Sequence, residues 1–390
     1  MHILLFSVDY FPNVGGAEVA WQELTKRMPQ YTRHMIVAKM SPRLAYKEKI
    51  GNVMVWRLGI GSPIIDKFLY LLFAPLWWIV LHMKYRYAVC VGVMASRWGA
   101  AATLFHRYMR KKVPYILNLQ DGHTDEVIQQ RTKYIWRFYK RIFASASYVT
   151  VIAHFLAQRA KENNFFWPIW YLPNGVDIPF FSKEHESQPE IDIQKKAWGR
   201  DTSTKVIIST SRLDYKNGIA DIIKALPFLS PEHVFVCLGE GELRSELEKL
   251  IKDLHVEKRV QLPGFVGHKD MLKYLSCADY FCRPSLQEWL GNSFLEAMVF
   301  GLPIIATPVG GILDFLKDGV NGFFCQVQDP PSIAQAIQRI DDLTPQERLA
   351  LHTAAKAKVM DTYDREKIAK KYNSLFLQFY EAKQWNNTSS

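Results

Sequence analysis

The chain has 390 residues, of which 48% are apolar and 22% charged. This composition excludes a disordered protein, and the length suggests two or three domains. Lys and Arg number 49 against 38 Asp and Glu, for a net charge of +11. The excess lies in one half, because residues 1–178 hold 23 basic and 10 acidic residues and residues 179–390 hold 26 and 28. A basic first half favours anionic partners such as phosphorylated substrates, nucleic acid or a membrane surface.

In the first half, short apolar runs alternate with segments of helical spacing. The pattern predicts helices over 17–28 and 98–108 and strands over 2–8, 33–38, 53–57, 88–94, 115–119 and 148–152. Strands separated by helices indicate a parallel sheet covered on both faces. The polar stretch 182–204 breaks the pattern and is a candidate linker.

A second alternating series begins at Lys205. It predicts helices over 218–226, 243–254 and 365–382 and strands over 206–210, 234–238, 259–262, 280–283, 303–306 and 322–325. The fold class is therefore α/β, with two doubly wound domains in tandem. In such sheets a ligand binds at the carboxyl ends of the strands, so we expect a site in a cleft between the domains.

The longest uncharged apolar stretch, 68–81, has 14 residues. A bilayer span needs about 20 apolar residues. Two main interpretations stay open, a buried helix or a helix that also contacts a membrane interface through Trp77 and Trp78, and a transmembrane span is the least favoured alternative. The start of the chain shows no signal-peptide pattern and the five cysteines form no CxxC pair. Both features favour a cytoplasmic protein with reduced thiols.

Two turns that follow predicted strands carry candidate phosphate-binding groups. Gly15 and Gly16 open a helix, and glycines allow close backbone approach to a ligand at a helix N-terminus. Arg212 and Lys216 follow the first strand of the second half and have the charge to bind a diphosphate. Each turn alone is a weak signal, since the first is also typical of a tight strand–helix turn and the second is more often an ordinary charged loop.

A third turn places two carboxylates, Glu288 and Glu296, on either side of Gly291. A helix beginning near Asn292 would point its free amides at an anion. A carboxylate beside a phosphate site repels phosphate, so it needs another role. Accepting hydrogen bonds from sugar hydroxyls supplies one, and two solvated surface carboxylates are the alternative.

These motifs together resemble the retaining glycosyltransferases of the GT-B fold, glycosyltransferase family 4 (glycosyl transferases group 1). The resemblance covers residues 1 to 380 and rests on six elements in the same order. They are Phe-Pro-x-x-Gly-Gly-Ala-Glu at 11–18, Pro-Asn-Gly-Val-Asp at 173–177, Arg212 with Lys216, Gly239-Glu-Gly241 with Gly264-Phe265, Glu-x7-Glu at 288–296, and Pro-x-Gly-Gly at 308–311.

The resemblance implies the fold and the domain bounds. Two Rossmann-like domains would face each other across a cleft, with an acceptor-binding domain over 1–180, a linker over 181–204 and a nucleotide-sugar-binding domain over 205–364. The C-terminal helix, 365–385, would cross back and pack on the first domain.

The resemblance also implies the roles of individual residues. Gly15 and Gly16 would lie at the donor phosphates or at the acceptor edge, and Arg212 and Lys216 would bind the diphosphate and stabilise the leaving nucleotide. Glu288 would hold hydroxyls of the transferred sugar and Glu296 the ribose. The remaining donor-binding positions are Gly239 in the Gly-x-Gly loop and the turn Gly291, Asn292, Ser293 and Phe294.

One expected element departs from the family pattern. Many members carry a His directly after the strand at 115–119, near the transferred sugar. Here Asp121 holds the matching position and His123 follows two residues later. The sugar-contacting group is therefore either Asp121 or His123.

A basic, aromatic helix accounts for part of the charge excess. Lys133, Arg137, Lys140 and Arg141 recur at three- and four-residue spacing with Trp136 between them, and Arg110, Lys111 and Lys112 form a second basic run. This pattern is typical of a membrane-surface helix, with a solvated helix as the alternative. We expect these residues to form a membrane or acceptor face.

We therefore expect a metal-independent, retaining hexosyltransferase without a bound cofactor, peripheral on the inner face of the cell membrane. Its partners would be a nucleotide-sugar donor (a UDP-sugar or GDP-mannose), a glycan or lipid-linked acceptor and an anionic membrane, with no nucleic acid. Its pathway would make cell-envelope polysaccharide, glycolipid or glycoprotein glycan. The alternatives are transfer to a soluble acceptor, or a nucleotide-sugar epimerase or phosphorylase on the same fold.

Overall fold

The computed structural model describes residues 1–12, 15–94, 113–120, 136–182 and 203–388. The chain forms two compact units, one of Met1–Gly175 with Arg365–Ser390 and one of Val176–Asp364. The second unit begins five residues before the expected boundary. The short helix α5 (Ile178–Phe181), which starts with the side chain of Asp177 as its N-cap, packs within this unit on α9 (Asn292–Phe300).

The first unit is built on a sheet of eight strands in the order β3-β4-β2-β1-β5-β6-β7-β8. The strands are β1 (His2–Phe6), β2 (Thr32–Ala38), β3 (Lys47–Ile50), β4 (Val53–Leu58), β5 (Val89–Val93), β6 (Tyr115–Leu119), β7 (Tyr148–Val151) and β8 (Ile169–Tyr171). All pairings are parallel except the β3–β4 hairpin.

Helices of the first unit described here are α1 (Gly16–Lys26), α2 (Ile65–Tyr85), α3 (Trp136–Ser145), α4 (His154–Glu162) and the C-terminal α12 (Arg365–Thr388). The last of these helices packs against α1, where the rings of Trp21 and Tyr372 meet edge to face at 5.5 Å. Leu375 and Phe376 are fully buried in the same core, and Arg27 Nε lies 2.7 Å from Glu366 Oε1. The C-terminal helix is thus part of the core of the first unit.

The second unit is built on a six-stranded parallel sheet in the order β11-β10-β9-β12-β13-β14. Its strands are β9 (Lys205–Thr210), β10 (His233–Leu238), β11 (Val260–Gly264), β12 (Tyr280–Arg283), β13 (Ile304–Ala306) and β14 (Phe323–Phe324). Its other helices are α6 (Ile219–Ala225), α7 (Arg244–Asp253), α8 (His268–Ser276), α10 (Pro330–Asp341) and α11 (Pro345–Thr362). Alternate strand residues, such as Ile207, Phe235 and Ile305, pack with helices α6, α7 and α10 in one hydrophobic cluster.

Helix α2 contains the long apolar stretch, and it is buried on one face and exposed on the other. Among the described residues it is the one helix that is long and apolar enough to cross a membrane, by length and composition. One face packs on β2 and β4, and Trp78 is 3% exposed with its Nε1 donating to Cys90 Sγ. The prediction that Trp78 contacts a membrane is therefore wrong. A wholly buried helix is also wrong, because Leu72 on the opposite face is 66% exposed.

All five cysteines are buried free thiols. Burial raises the pKa of Cys237 and of Cys325 to about 12, so neither forms a thiolate near neutral pH. These thiols are core residues.

Candidate functional site

The second sheet brings four loops together at its carboxyl edge. Because β10, β9, β12 and β13 are neighbours, the loops that follow them lie side by side. They hold predicted site residues of this unit: Arg212 and Lys216 after β9, Gly239 after β10, and Glu288 and Gly291 after β12. The loop after β13 holds Gly310 of the Pro-x-Gly-Gly motif.

Glycines let the backbones of these loops touch. A Cβ on Gly239 would lie 1.9 Å from the carbonyl oxygen of Ser211, and a Cβ on Gly310 would lie 1.9 Å from that of Glu288. Gly218, at φ +68°, meets the carbonyl of Pro284 in the same way. The structure thus gives Gly239 a packing reason to be glycine. Its contact with a donor stays a prediction.

The loop after β9 presents two cations at this edge. Asp214 caps the turn by accepting from the Lys216 amide, and Lys216 O accepts from the Leu286 amide at 2.7 Å, which joins this loop to the one after β12. The Lys216 side chain is 43% exposed, with Nζ 4.8 Å from the centre of the Trp289 ring. Arg212 is exposed on the same loop.

The carboxylate of Glu288 is held by Arg283, the last residue of β12. One oxygen of Glu288 accepts from Arg283 Nη2, and the other accepts from the Trp289 amide at 3.0 Å. Both side chains are largely buried. A carboxylate has about four acceptor positions, so this arrangement leaves room for hydroxyl donors. The alternative that Glu288 is a solvated surface carboxylate is wrong.

Sequence reasoning missed Arg283. Its guanidinium also donates to Ser293 Oγ at 2.8 Å and lies over the Phe294 ring at 4.3 Å. Arg283 therefore connects Glu288 to the first turn of α9. A charged residue ending an otherwise apolar strand (Tyr-Phe-Cys-Arg) was the available signal.

Helix α9 begins at Asn292, as predicted, after Gly291 in a left-handed conformation at φ +79°. The amides of Asn292 and Ser293 lie in the first turn, where an α-helix supplies no carbonyl partner. The amide of Phe294 donates to Gly291 O at 3.0 Å, and the Phe294 ring is buried. The contact of the Phe294 amide with a phosphate stays a prediction.

Two further groups complete this edge. Glu296 lies one turn into α9 and is half-buried. Asn292 Oδ1 is buried and, within the part of the chain that the structure describes, finds no hydrogen-bond partner. Such an atom normally pairs with water or a ligand.

The glycine turn of the first unit has a different character. Gly15 is the N-cap of α1, and its amide donates to Glu18 Oε2 at 2.8 Å. A Cβ on Gly15 would lie 2.7 Å from that oxygen, whereas a Cβ on Gly16 meets nothing within 4 Å. Because a carboxylate already occupies this helix N-terminus, the turn is poorly suited to a phosphate. Whether Gly15 and Gly16 lie at the donor phosphates or at the acceptor edge stays a prediction.

A polar network marks the carboxyl end of β6. Asn118 Oδ1 accepts from Trp21 Nε1 at 3.2 Å and from Gln120 Nε2 at 2.7 Å. Gln120 Oε1 in turn accepts from Asn174 Nδ2 at 3.2 Å, which ties the Pro-Asn-Gly element to this strand end. The two predicted sugar contacts, Asp121 and His123, follow directly but lie outside the described residues.

Four of the eight residues of the predicted basic face lie outside the described residues: Arg110, Lys111, Lys112 and Lys133. Trp136, Arg137 and Lys140 belong to α3, of which only the backbone is described at these positions. Arg141 is exposed while Ile142 and Phe143 are buried, so the helix places at least one cation outward. No group of three metal-ligating side chains occurs among the described residues.

Two family models match consecutive parts of the chain. Residues 14–179 match Glycosyltransferase Family 4, and residues 190–358 match Glycosyl transferases group 1. The chain belongs to glycosyltransferase family 4.

Curated relatives of this family-4 chain share about a third of its residues over part of its length. It is 33% identical over 200 residues, 50% of each chain, to an uncharacterized glycosyltransferase of Methanocaldococcus jannaschii. It is 30% identical over 238 residues, 58% of each chain, to N-acetyl-alpha-D-glucosaminyl L-malate synthase of Bacillus anthracis. It is 29% identical over 177 residues, 44% of each chain, to UDP-Gal:alpha-D-GlcNAc-diphosphoundecaprenol alpha-1,3-galactosyltransferase of Escherichia coli. The matches span about half the length of these relatives.

Solved structures show the fold of the whole chain. Sucrose-phosphate synthase of Thermosynechococcus elongatus superposes with a TM-score of 0.82 at 20% identity, covering 98% of this chain and 99% of that one. Anabaena HepE, solved with UDP-glucose, superposes with a TM-score of 0.76 at 19% identity, covering 97% and 100%. The predicted fold class is confirmed as GT-B, with two Rossmann-like domains.

Proposed function

We propose that this protein is a retaining glycosyltransferase that moves a hexose-type sugar from a nucleotide-diphosphate sugar to a glycan or lipid-linked acceptor at the cytoplasmic face of the membrane. The observation that carries the proposal is the carboxyl edge of the second sheet. There, cations, a fixed carboxylate and a helix N-terminus lie on adjacent loops. Family membership supports the same activity.

The chemistry requires stabilisation of a leaving diphosphate. Lys216 and Arg212 supply positive charge on one loop, and the amides of Asn292 and Ser293 supply donors at the start of α9. Preorganised cations and helix dipoles stabilise charge that develops as the sugar–phosphate bond breaks. The buried, unpartnered Asn292 Oδ1 fits a hydrogen-bond donor on the nucleotide side.

Glu288 and Glu296 give the donor its orientation. Arg283 and the Trp289 amide fix Glu288 from behind, so its remaining acceptor positions are available to sugar hydroxyls. Glu296, one turn further into the helix, would accept hydrogen bonds from the ribose hydroxyls. Neither carboxylate needs to act as a nucleophile, since we infer that the leaving phosphate takes the acceptor's proton.

The acceptor side rests on charge and on the relatives. The first half of the chain holds the whole positive excess, which suits an anionic lipid diphosphate or leaflet. The E. coli relative's name carries a diphosphoundecaprenol acceptor and supports a lipid-linked glycan. The name of the B. anthracis relative contains L-malate, which favours a small, soluble, anionic acceptor as the second candidate.

A donor screen tests the proposal. Uridine and guanosine diphosphate sugars are compared by thermal shift with the nucleoside monophosphates as controls, and the best donor is incubated with lipid diphosphate, membrane extract or malate. We expect transfer with retention of the anomeric configuration, read by proton NMR, and persistence of activity in EDTA. Inversion of the anomeric centre would overturn the retaining mechanism. Conversion of the donor to an epimer without an acceptor would overturn the glycosyltransferase assignment.

A further inference from the structure

The outer face of α2 carries a continuous apolar stripe. Large side chains exposed along it include Ile65, Phe68, Leu72, Leu76, Val80 and Met83. They recur mostly at three- and four-residue steps, and the buried set Asp66, Tyr70, Ala74, Trp78 and Leu81 occupies the opposite face. The stripe runs about 27 Å from Ile65 to Met83, at about 1.5 Å per residue. Contiguous exposed apolar surface on this scale marks an interaction site.

The helix is anchored along its inner face, so it does not leave the sheet to span a bilayer. It packs on β2 and β4. At its start, the buried carboxylate of Asp66 accepts from the amides of Ile60 and Gly61, each at 2.7 Å. Any membrane contact is therefore made by one face of a helix lying parallel to the surface.

The charges around the stripe are positive. Residues 40–86 contain seven Lys and Arg and two Asp and Glu. Both acids are bonded within the protein, since Glu48 pairs with Arg57 and Asp66 binds backbone amides. Lys67 lies near one end of the stripe and Lys84 at the other, and Lys47 lies beside it over the Trp56 ring, which contacts Trp77 of α2.

We propose that the outer face of α2 inserts into the interfacial region of an anionic membrane, with Lys67 and Lys84 at the lipid phosphates. An apolar stripe bounded by cations fits this occupant, because the aliphatic groups replace headgroup water while lysines extend to the phosphates. A second copy of the chain is a poorer fit. In either orientation of two paired helices, the positive end of one helix meets a positive end of the other. The inference deepens the membrane part of the proposed function by naming its contact surface.

A single fluorophore tests insertion directly. All five native thiols are buried, so a maleimide dye with environment-sensitive emission reacts at an introduced exposed cysteine. Leu72→Cys reports on the stripe. Leu349→Cys is the matched control, a leucine 65% exposed on α11 of the second unit. With vesicles of equal parts phosphatidylcholine and phosphatidylglycerol, we expect a blue shift for position 72 and none for position 349. Equal spectra with and without vesicles at position 72 would overturn the proposal.

Two double variants test whether apolar contacts and positive charge each contribute to vesicle binding. Leu76→Glu with Met83→Glu should reduce flotation with the same vesicles by roughly tenfold or more, whereas Leu313→Glu with Leu349→Glu should leave it unchanged. Lys67→Glu with Lys84→Glu should weaken binding to the anionic vesicles and not to phosphatidylcholine alone. Circular dichroism and melting temperature verify folding of each variant. Unchanged flotation of the folded Leu76/Met83 variant would contradict the inference.

The assays separate this inference from the proposed enzyme activity. Release of free sugar from the donor, measured without lipid, should be the same in the Leu76→Glu, Met83→Glu variant and the wild type. If vesicle binding behaves as stated but no donor is turned over, the activity proposal fails and the docking surface stands. A second copy of the chain could cover α2 instead. In that case light scattering would show a dimer that the Leu76→Glu, Met83→Glu variant dissociates, and the dye at position 72 would respond to protein concentration and not to vesicles. That result would overturn the docking proposal.

Discussion

Arg283 and Glu288 form an ion pair in which a strand end positions a loop carboxylate. The guanidinium comes from the last residue of β12, and the carboxylate from the loop five residues later. The same guanidinium holds Ser293 Oγ at 2.8 Å, so Glu288 and the first turn of α9 share one rigid partner. Without the Arg283 guanidinium, the carboxylate of Glu288 would be largely buried and unpaired, which would destabilise the folded state.

We expect Arg283→Met to lower kcat by about 100-fold, because a small displacement of a positioning group has that effect. Arg283→Lys keeps the charge but cannot bind Glu288 and Ser293 together, so it should recover only part of the rate. Steady-state kinetics with the identified donor, together with melting temperatures, separate the two effects. A loss of stability in Arg283→Met with kcat unchanged would show that the pair is structural only.

Lys216 is expected to act on the diphosphate. Lys216→Gln should reduce kcat by about 100-fold and weaken nucleoside diphosphate binding more than nucleoside monophosphate binding, because its charge is used where the leaving phosphates develop negative charge. Lys224→Gln is the control. Lys224 Nζ lies 3.9 Å from Asp221 on α6, outside the site loops. Equal losses for diphosphate and monophosphate would argue against a diphosphate contact.

Gly310 is expected to maintain the Glu288 loop. It has φ +54°, and a Cβ would lie 1.9 Å from Glu288 O, so Gly310→Ala should destabilise the second unit by about 2 kcal/mol or more. Gly319→Ala provides a matched comparison, since Gly319 has φ +70° but its nearest neighbour is a side-chain atom at 3.8 Å. Urea unfolding of both variants separates backbone strain from the clash. Equal losses would show that the contact with Glu288 contributes nothing.

The sequence predicted strand positions well where apolar runs are short and sharply bounded. Tyr115–Leu119 and Tyr280–Arg283 have the predicted bounds. It missed Lys47–Ile50, because Lys-Glu-Lys-Ile has little strand character and is held by its hairpin partner, Val53–Leu58. Pairing with the neighbouring strand, and not the intrinsic strand propensity of these residues, therefore determines this strand.

The site was predictable as a set of loops and not as a set of contacts. Motif order placed Lys216 and Glu288 at strand ends, which the sheet order then made neighbours. Nothing local indicated that Arg283 binds Glu288, or that the Phe294 amide is taken by Gly291. In the same way, the nearly unbroken apolar run of α2 has no periodicity to tell its buried Trp78 face from its exposed Leu72 face.

Glu296 is expected to bind the nucleotide and not the transferred sugar. Glu296→Gln keeps the volume but loses the charge-assisted hydrogen bond, so the affinity for the nucleoside diphosphate should fall about tenfold. Glu288→Gln is the informative comparison, because it should lower kcat for the sugar donor and leave nucleoside diphosphate affinity nearly constant. Isothermal titration calorimetry with the diphosphate alone measures the difference. Unchanged affinity in Glu296→Gln would count against a ribose contact.

Asp341 stabilises the opposite edge of the second sheet and gives the protein a defined pH dependence. It is the last residue of α10, and its carboxylate binds Lys205 Nζ at 3.0 Å, His233 Nε2 at 3.1 Å and the Tyr280 hydroxyl. Burial alone would raise the pKa of Asp341, but the bonds from Tyr280 and Lys205 and the neighbouring His233 outweigh it, so the pKa is lowered. The pKa of the buried Tyr280 hydroxyl is raised, first by burial and then by this carboxylate.

Asp341→Asn should therefore cost about 3 kcal/mol at neutral pH, as expected for a buried charge network that loses one partner. A lowered carboxyl pKa stabilises the fold above the unfolded-state value of 3.8, and this contribution is lost as the pH falls through the folded value. The difference between wild type and Asp341→Asn should be constant from neutral pH to about pH 4 and shrink below it. Above pH 10, where an unfolded tyrosine ionises but Tyr280 does not, the wild type should lose stability. Denaturant unfolding across this pH range measures both the acid and the alkaline loss of stability. Asp342→Asn, at an exposed neighbouring position, is the control. An unfolding difference that grows as the pH falls below 4 would contradict the assigned direction.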